Sequence, residues 1–321
     1  MAEVWTMGEA LVEIMRTQED APLSQTAPFL GPFPSGSSAI LISTVARMGH
    51  SAGILSGVGE DPFGKCILDR LKKDGVDTSK LLVNPDSSTA CAFVSYDHTG
   101  DRQYLFHWDA TPATEASMPD VTEPCFQEAK FLHVMGCALT ARLEYGWEIV
   151  KTVKAMKAQG TKISFDPNVR IEHLTNPRKR EESFQIIHEI LAQTSVFEPG
   201  IEELKLLTGE SDLDTAVKKC FENETLEILF LKMGANGCRA YTRSGDVAEQ
   251  SCYKMNVLDA TGAGDSSDGA FLCGLLEGRS IKECTQMAAA AGALNVAAFG
   301  PMEGNISPNT VWNLINQTDK S

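Results

Sequence analysis

The run Phe131-Leu132-His133-Val134-Met135-Gly136, a helical stretch from Tyr145 to Gln159, and the run Lys162-Ile163-Ser164-Phe165-Asp166-Pro167-Asn168 make one strand–helix–strand unit. Both strand segments are near-continuously apolar, as strands buried on two faces are, and each stops at Gly, Pro or acidic residues. The same rhythm recurs outward in both directions. Val4-Trp5-Thr6-Met7 ends at Gly8-Glu9, and Ala52-Gly53-Ile54-Leu55-Ser56 ends at Gly57. Ser195-Val196-Phe197 ends at Glu198-Pro199-Gly200, and Ile228-Leu229-Phe230-Leu231 ends at Lys232-Met233-Gly234. Strands alternating with helices predict an α/β fold with a mostly parallel sheet covered by helices on both faces. Ligands in such folds bind beyond the carboxyl ends of the strands, where these Gly, Pro and acidic residues gather.

Two stretches break the rhythm. Residues 15–35 are rich in Pro, Gly and Thr. Residues 89–108 read as a hairpin, with Cys91–Tyr96 and Arg102–Phe106 joined by a turn at Asp97-His98-Thr99-Gly100. The two together are expected to form a small sheet, or else an irregular surface excursion.

Composition narrows the function classes. The 321 residues carry 28 Lys and Arg against 43 Asp and Glu, a formal charge of −15. That field repels phosphodiester backbones and anionic lipid, so neither nucleic acid nor a membrane surface is an expected partner. No apolar run approaches the length of a membrane span, and the N-terminus lacks the pattern of a signal peptide. Nine scattered cysteines with no C-x-x-C pair read as small buried hydrophobes in a reducing, cytoplasmic compartment.

The chemistry concentrates in Val257-Leu258-Asp259-Ala260-Thr261-Gly262-Ala263-Gly264-Asp265, which runs from an expected short strand into a helix. Gly262 and Gly264 let the backbone bend so that successive N–H groups point into one pocket at a helix N-terminus, where an anion is favoured. Asp265 stands in the same turn. A carboxylate beside a phosphate cradle can take a proton from an attacking hydroxyl while the cradle holds the transferred charge. The plain alternative is a Gly-rich helix start with Asp265 as its cap. Neither a G-x-G-x-x-G nor a G-K-[ST] pattern is present.

This string resembles the D-T-x-G-A-G-D signature of the ribokinase-like (PfkB) carbohydrate kinases, with Ala260 in place of Thr. The resemblance runs along nearly the whole chain. Gly8-Glu9-Ala10-Leu11-Val12-Glu13 is similar to that family's first strand and turn, Gly57-Val58-Gly59-Glu60-Asp61-Pro62-Phe63-Gly64 to its N-terminal signature, Phe165-Asp166-Pro167-Asn168-Val169-Arg170 to an F-D-P-N-x-R string, and Lys232-Met233-Gly234-Ala235-Asn236-Gly237 to a K-x-G-x-x-G nucleotide strand. It implies a Rossmann-like (ribokinase-like) catalytic domain spanning residues 1–321, with a small β lid at about 15–35 and 89–112. It also implies ATP and Mg²⁺, with a monovalent cation such as K⁺ as a further candidate. Asp265 is then the base, and Gly262, Ala263 and Gly264 the anion hole. Lys232, Gly234, Gly237, Thr261 and Gly264 lie by the nucleotide. Of the family's N-x-x-E metal motif only Glu203 carries over, because Gly200 stands where the Asn belongs.

The same resemblance places Glu13, Gly36, Ser37, Ile40, Trp108, Asn168, Arg170 and Asp265 at the substrate. A family G-G-x-x-x-N stretch here reads Ser35-Gly36-Ser37-Ser38-Ala39-Ile40, so an amide for sugar hydroxyls has become apolar. Trp108 and Asp109 stand where keto-sugar-acid kinases carry Tyr and Arg, which favours a neutral ketose. The expected activity is transfer of the γ-phosphate to a ketose hydroxyl. A 2-keto-3-deoxy sugar acid as acceptor, supported by Arg170, and a catalytically silent sensor are the alternatives. Exposed lid edges lead to the expectation of a homodimer through the lid.

Overall fold

The computed structural model describes residues 1–99, 102–169 and 177–318. In chain order its strands are β1 (Val4–Met7), β2 (Leu11–Arg16), β3 (Phe29–Ser35), β4 (Ala52–Gly59), β5 (Leu81–Asn84), β6 (Cys91–Tyr96), β7 (Arg102–His107), β8 (Phe131–Met135), β9 (Lys162–Asp166), β10 (Val196–Phe197), β11 (Ile228–Lys232), β12 (Cys238–Thr242) and β13 (Val247–Gln250). Its helices are α1 (Ser37–Arg47), α2 (Pro62–Asp74), α3 (Gly136–Ala141), α4 (Leu143–Ala158), α5 (Pro177–Leu191), α6 (Ile201–Thr208), α7 (Leu213–Cys220), α8 (Ala263–Leu276), α9 (Ile281–Val296) and α10 (Pro308–Thr318).

Nine strands form the main sheet in the order β13-β12-β11-β10-β9-β8-β1-β4-β5. From β11 to β5 every pairing is parallel, as expected. Each strand interior sends alternate side chains to opposite faces. Val4, Ile54 and Phe230 join a core built with α1, α8 and α9, while Trp5, Leu55 and Leu231 join one built with α4 and α5. The rings of Phe230 and Phe271 stack at 4.2 Å and tie α8 to the sheet directly beneath the site; such a pair is worth about 1 kcal/mol beyond its buried area.

The small sheet has the order β3-β2-β6-β7, with the expected antiparallel hairpin between β6 and β7. Three features differ from the sequence reading. Leu11–Arg16 belongs to this sheet and not to the opening of the main one, so the small sheet starts earlier than residue 15 and its last strand ends at His107. β12 and β13 extend the main sheet antiparallel, because the short turn at Ser244-Gly245 returns the chain directly beside itself. No strand leads into Gly262. Instead the amides of Leu258 and Asp259 donate to the Val296 carbonyl at the end of α9, at 2.8 and 3.3 Å, which leaves the Val257 and Leu258 side chains exposed.

No described helix is long and apolar enough to cross a membrane. The nine cysteines are free; Cys137, Cys238, Cys273 and Cys284 are buried as expected, whereas Cys252 is exposed.

Candidate active site

A cavity of about 200 Å³ lies between the carboxyl ends of β9 and β11, the start of α8 and the inner face of the small sheet. It gathers Asp265, Gly262, Gly264, Thr261, Lys232, Glu203, Asn168, Ile40, Ser37 and Glu13 from elements far apart in sequence. Gly36, Ala263, Gly234 and Gly237 do not line it. Gly36 caps α1 and Ala263 opens α8, while Gly234 and Gly237 form the turn between β11 and β12. Arg170 lies outside the described residues.

The start of α8 is shaped by close approach. Gly262 has φ +78°, and a Cβ there would meet the Pro301 carbonyl at 2.5 Å and Ile40 at 3.2 Å. No side chain caps the helix; the Ala263 amide donates to the Ala260 carbonyl at 3.4 Å, and the helix N-terminus faces the cavity at Gly264, where its dipole favours an anion. The turn is braced from behind: Asn295 Nδ2 donates to the Thr261 carbonyl at 2.7 Å, and Asp259 accepts from the amides of Thr261 and Gly300. Ile40 therefore packs against the Gly262 turn as well as lining the cavity.

Glu13 and Asn168 are oriented by hydroxyls. Ser35 Oγ donates to Glu13 at 2.7 Å, and Asn168 Nδ2 donates to Ser37 Oγ at 3.0 Å. Asn168 adopts φ +34°, a region Asn tolerates better than most residues, and its amide donates back to Asp166. Glu203 is committed on both oxygens. It accepts from the Val169 amide at 2.7 Å and from the Gly200 amide at 2.8 Å, closing α6 and pinning the chain after Asn168. Burial raises its pKa above the ordinary value, reinforced by Asp166.

Lys232 is clamped rather than free. Its Nζ donates to Asp166 at 2.5 Å and to Asp268 at 2.9 Å. Burial works to strip its proton, but Asp166, Asp268 and Glu203 outweigh that and hold the ammonium charged.

Trp108 is set apart from the cavity. It is 5% exposed, stacks on Phe106 at 4.4 Å, and borders a separate groove with Phe63 and Asp109. The residues that reach inward from the hairpin are Arg102 and Tyr104, which the sequence reading did not single out. Strand alternation puts 102 and 104 on one face, but the sequence does not say which face turns inward. Arg102 Nη1 donates to Thr261 Oγ1 at 3.2 Å, and Tyr96 donates to Asp259 Oδ1 at 3.2 Å, so the small sheet is fastened to the anion turn at two points. Glu9 does not line the cavity; it is buried behind it and accepts from the Ser37 amide at 2.8 Å.

The pfkB family carbohydrate kinase profile matches residues 1–308. The chain belongs to the pfkB family of carbohydrate kinases. This pfkB chain is 30% identical to a 2-dehydro-3-deoxygluconokinase of Bacillus subtilis over 277 residues, covering 84% of this chain and 82% of the relative. An Escherichia coli protein provisionally labelled Ribokinase II, solved in complex with ATP and Mg²⁺, superposes with a TM-score of 0.90 at 33% identity, covering 99% of this chain and all of that one. A double-mutant fructokinase of Vibrio cholerae with fructose, ADP and potassium ion bound superposes with a TM-score of 0.84 at 25% identity, covering 98% of each chain. As a pfkB kinase the protein is a phosphotransferase with an alcohol group as acceptor, built on the ribokinase-like fold.

Proposed function

We propose that residues 1–321 act as a single catalytic domain that moves the γ-phosphate of ATP to a hydroxyl of a ketose-type sugar. The observation that carries this reading is the position of Asp265 in the first turn of an uncapped helix, on the same cavity as Glu13, Ser37 and Asn168. The acceptor hydroxyl gives its proton to the Asp265 carboxylate as its oxygen bonds to phosphorus and the bond to the ADP oxygen breaks. N–H groups of the Gly262–Gly264 turn stabilise the charge on the transferred group. Glu13, Ser37 and Asn168 orient the sugar, and the Tyr96 and Arg102 contacts close the small sheet and keep water out.

Mg²⁺ supplies charge neutralisation across the phosphates. The described residues include no cluster of three metal-ligating side chains, so Glu203 would act on the ion through water. K⁺ joins the proposed cofactors on the strength of the Vibrio relative. Lys232, Thr261, Gly234 and Gly237 face the nucleotide side in this reading. A homodimer through the outer face of the small sheet fits the exposed Phe29 and Leu105, and light scattering should return the mass of two chains.

A second reading makes the acceptor a 2-keto-3-deoxy sugar acid. It is favoured by Arg102 in the cavity and by the displacement of Asp109 into the other groove, which removes the repulsion expected for a carboxylate. ADP release from Mg·ATP, measured against ketoses, polyols and keto-sugar acids in parallel, tests both. Turnover with a neutral ketose supports the first, turnover with keto acids alone supports the second, and ATP binding without turnover on any acceptor makes the protein a sensor.

A further inference from the structure

Asp268 lies one helical turn beyond Asp265 on α8 and is fully buried, yet it does not line the cavity. Nothing in the proposed reaction uses it. A carboxylate in such a place is costly unless it is paired, and the partner here is Lys232, which does line the cavity. Asp166 on β9 holds the same ammonium from the other side. The clamp joins three segments, the ends of β9 and β11 and the second turn of α8, beneath the anion turn. Its position relative to that turn is defined: a Cβ built on Gly264 would stand 3.8 Å from Lys232 Nζ.

An ammonium has three donors, and two of them go to Asp166 and Asp268. The third remains for a group entering the cavity beside Gly264. A flexible four-carbon stem would otherwise let the ammonium swing toward Glu203 or into solvent, and a cation is most effective in transfer when it needs no reorganisation.

Resting on the kinase reading above, we infer that Asp268 is a positioning residue for Lys232, fixing its ammonium under the Gly262–Gly264 turn as a preset counter-charge for the transferred phosphoryl group. The role is indirect. Asp268 touches neither sugar nor nucleotide, so its removal should act on kcat and leave the sugar KM in place.

A double-mutant cycle on the full chain tests this, using the acceptor on which the wild type is most active. Lys232→Met is expected to lower kcat about a hundredfold and Asp268→Asn about tenfold, with sugar KM moved less than about twofold by Asp268→Asn. Because the aspartate acts through the lysine, Asp268→Asn in the Lys232→Met background should cost less than a further twofold or so. A purely structural role for Asp268 predicts multiplicative losses instead. If Asp268→Asn folds poorly, Lys232→Met/Asp268→Leu replaces the buried pair by apolar groups of similar volume and should turn over at the Lys232→Met rate. Multiplicative losses, or a wild-type kcat in Asp268→Asn, would overturn the inference while leaving the kinase reading intact. A wild type silent on every acceptor overturns the kinase reading, and the role of Asp268 falls with it.

Discussion

The phenol of Tyr96 on the small sheet donates to Asp259 Oδ1 across 3.2 Å, joining the sheet over the cavity to the turn that would hold the phosphoryl group. Burial pushes the phenol's pKa up, so it remains a donor throughout the neutral range. Tyr96→Phe keeps the ring and removes the bond, which costs roughly 1–2 kcal/mol of closure. Sugar KM should rise about tenfold or less, with ADP release in the absence of sugar increased as water gains access. An unchanged KM and unchanged background would show that closure does not use this bond.

Asp265→Asn should lower kcat by about 10²–10⁴ while leaving MgATP affinity within a few-fold, because it removes a base and not the anion turn. Calorimetry for nucleotide and a coupled assay for turnover separate the two. Near-wild-type turnover sinks the base assignment.

Gly262→Ala places a methyl group where the backbone has φ +78° and the Pro301 carbonyl is 2.5 Å away. Strain and collision together should lower Tm by about 5 °C or more and kcat by at least about tenfold. The control is Gly245→Ala. Gly245 also has positive φ but meets nothing within 4 Å, so its variant should lose stability and keep kcat.

Gly200 has an ordinary φ of −76°, and a Cβ there meets only the flexible end of Glu203, at 3.3 Å. Gly200→Asn should therefore fold and supply the amide that the family's N-x-x-E motif carries. The Mg²⁺ concentration for half-maximal rate should fall about twofold or more, as an added oxygen donor helps organise the hydrated ion. No shift in the Mg²⁺ titration would detach this position from the metal.

Asp61 caps α2 through the amides of Phe63 and Gly64, and Thr89 donates to it from both amide and hydroxyl. Burial works to raise its pKa, but the bonds from Thr89, Gly64 and Phe63 together win and hold it below the ordinary aspartate value. The stabilisation is present above the unfolded-state pKa and is lost as pH falls through the lower folded-state value, so it fades below about pH 4. Asp61→Asn should cost about 1 kcal/mol at neutral pH and show a smaller loss of Tm on acidification than the wild type. Parallel acid limbs in the two proteins would contradict this.

The α/β fold was legible because strands such as Phe131–Met135 and Ile228–Leu231 are apolar on both faces, a pattern few other environments require. The bend at the start of α8 was legible because Gly262 and Gly264 free the backbone at a fixed local spacing ahead of Asp265. Arg102 and Tyr104 were not, since an inward residue on an edge strand differs from an outward one only by register. Trp108 misled for a related reason: it lies past the end of β7, where its ring turns against Phe106 and leaves the cavity. The clamp on Lys232 joins residues 66 and 36 positions away, a separation no local pattern reveals.

The brace of the anion turn comes from its own downstream chain. Helix α8 leaves Gly262, α9 returns beside it, and Asn295, Val296 and Gly300 fasten the same turn that began the excursion. In the proposed reaction, the turn that would hold the transferred phosphoryl group and its brace thus lie in one unbroken run from Asp259 to Gly300, with Lys232 brought to it from β11. The surface that would meet the acceptor is assembled from β2, the start of α1, β7 and the segment after β9, in distant parts of the gene product. On this reading, substitutions at those scattered positions would change which alcohol is accepted without touching the contiguous turn and its brace.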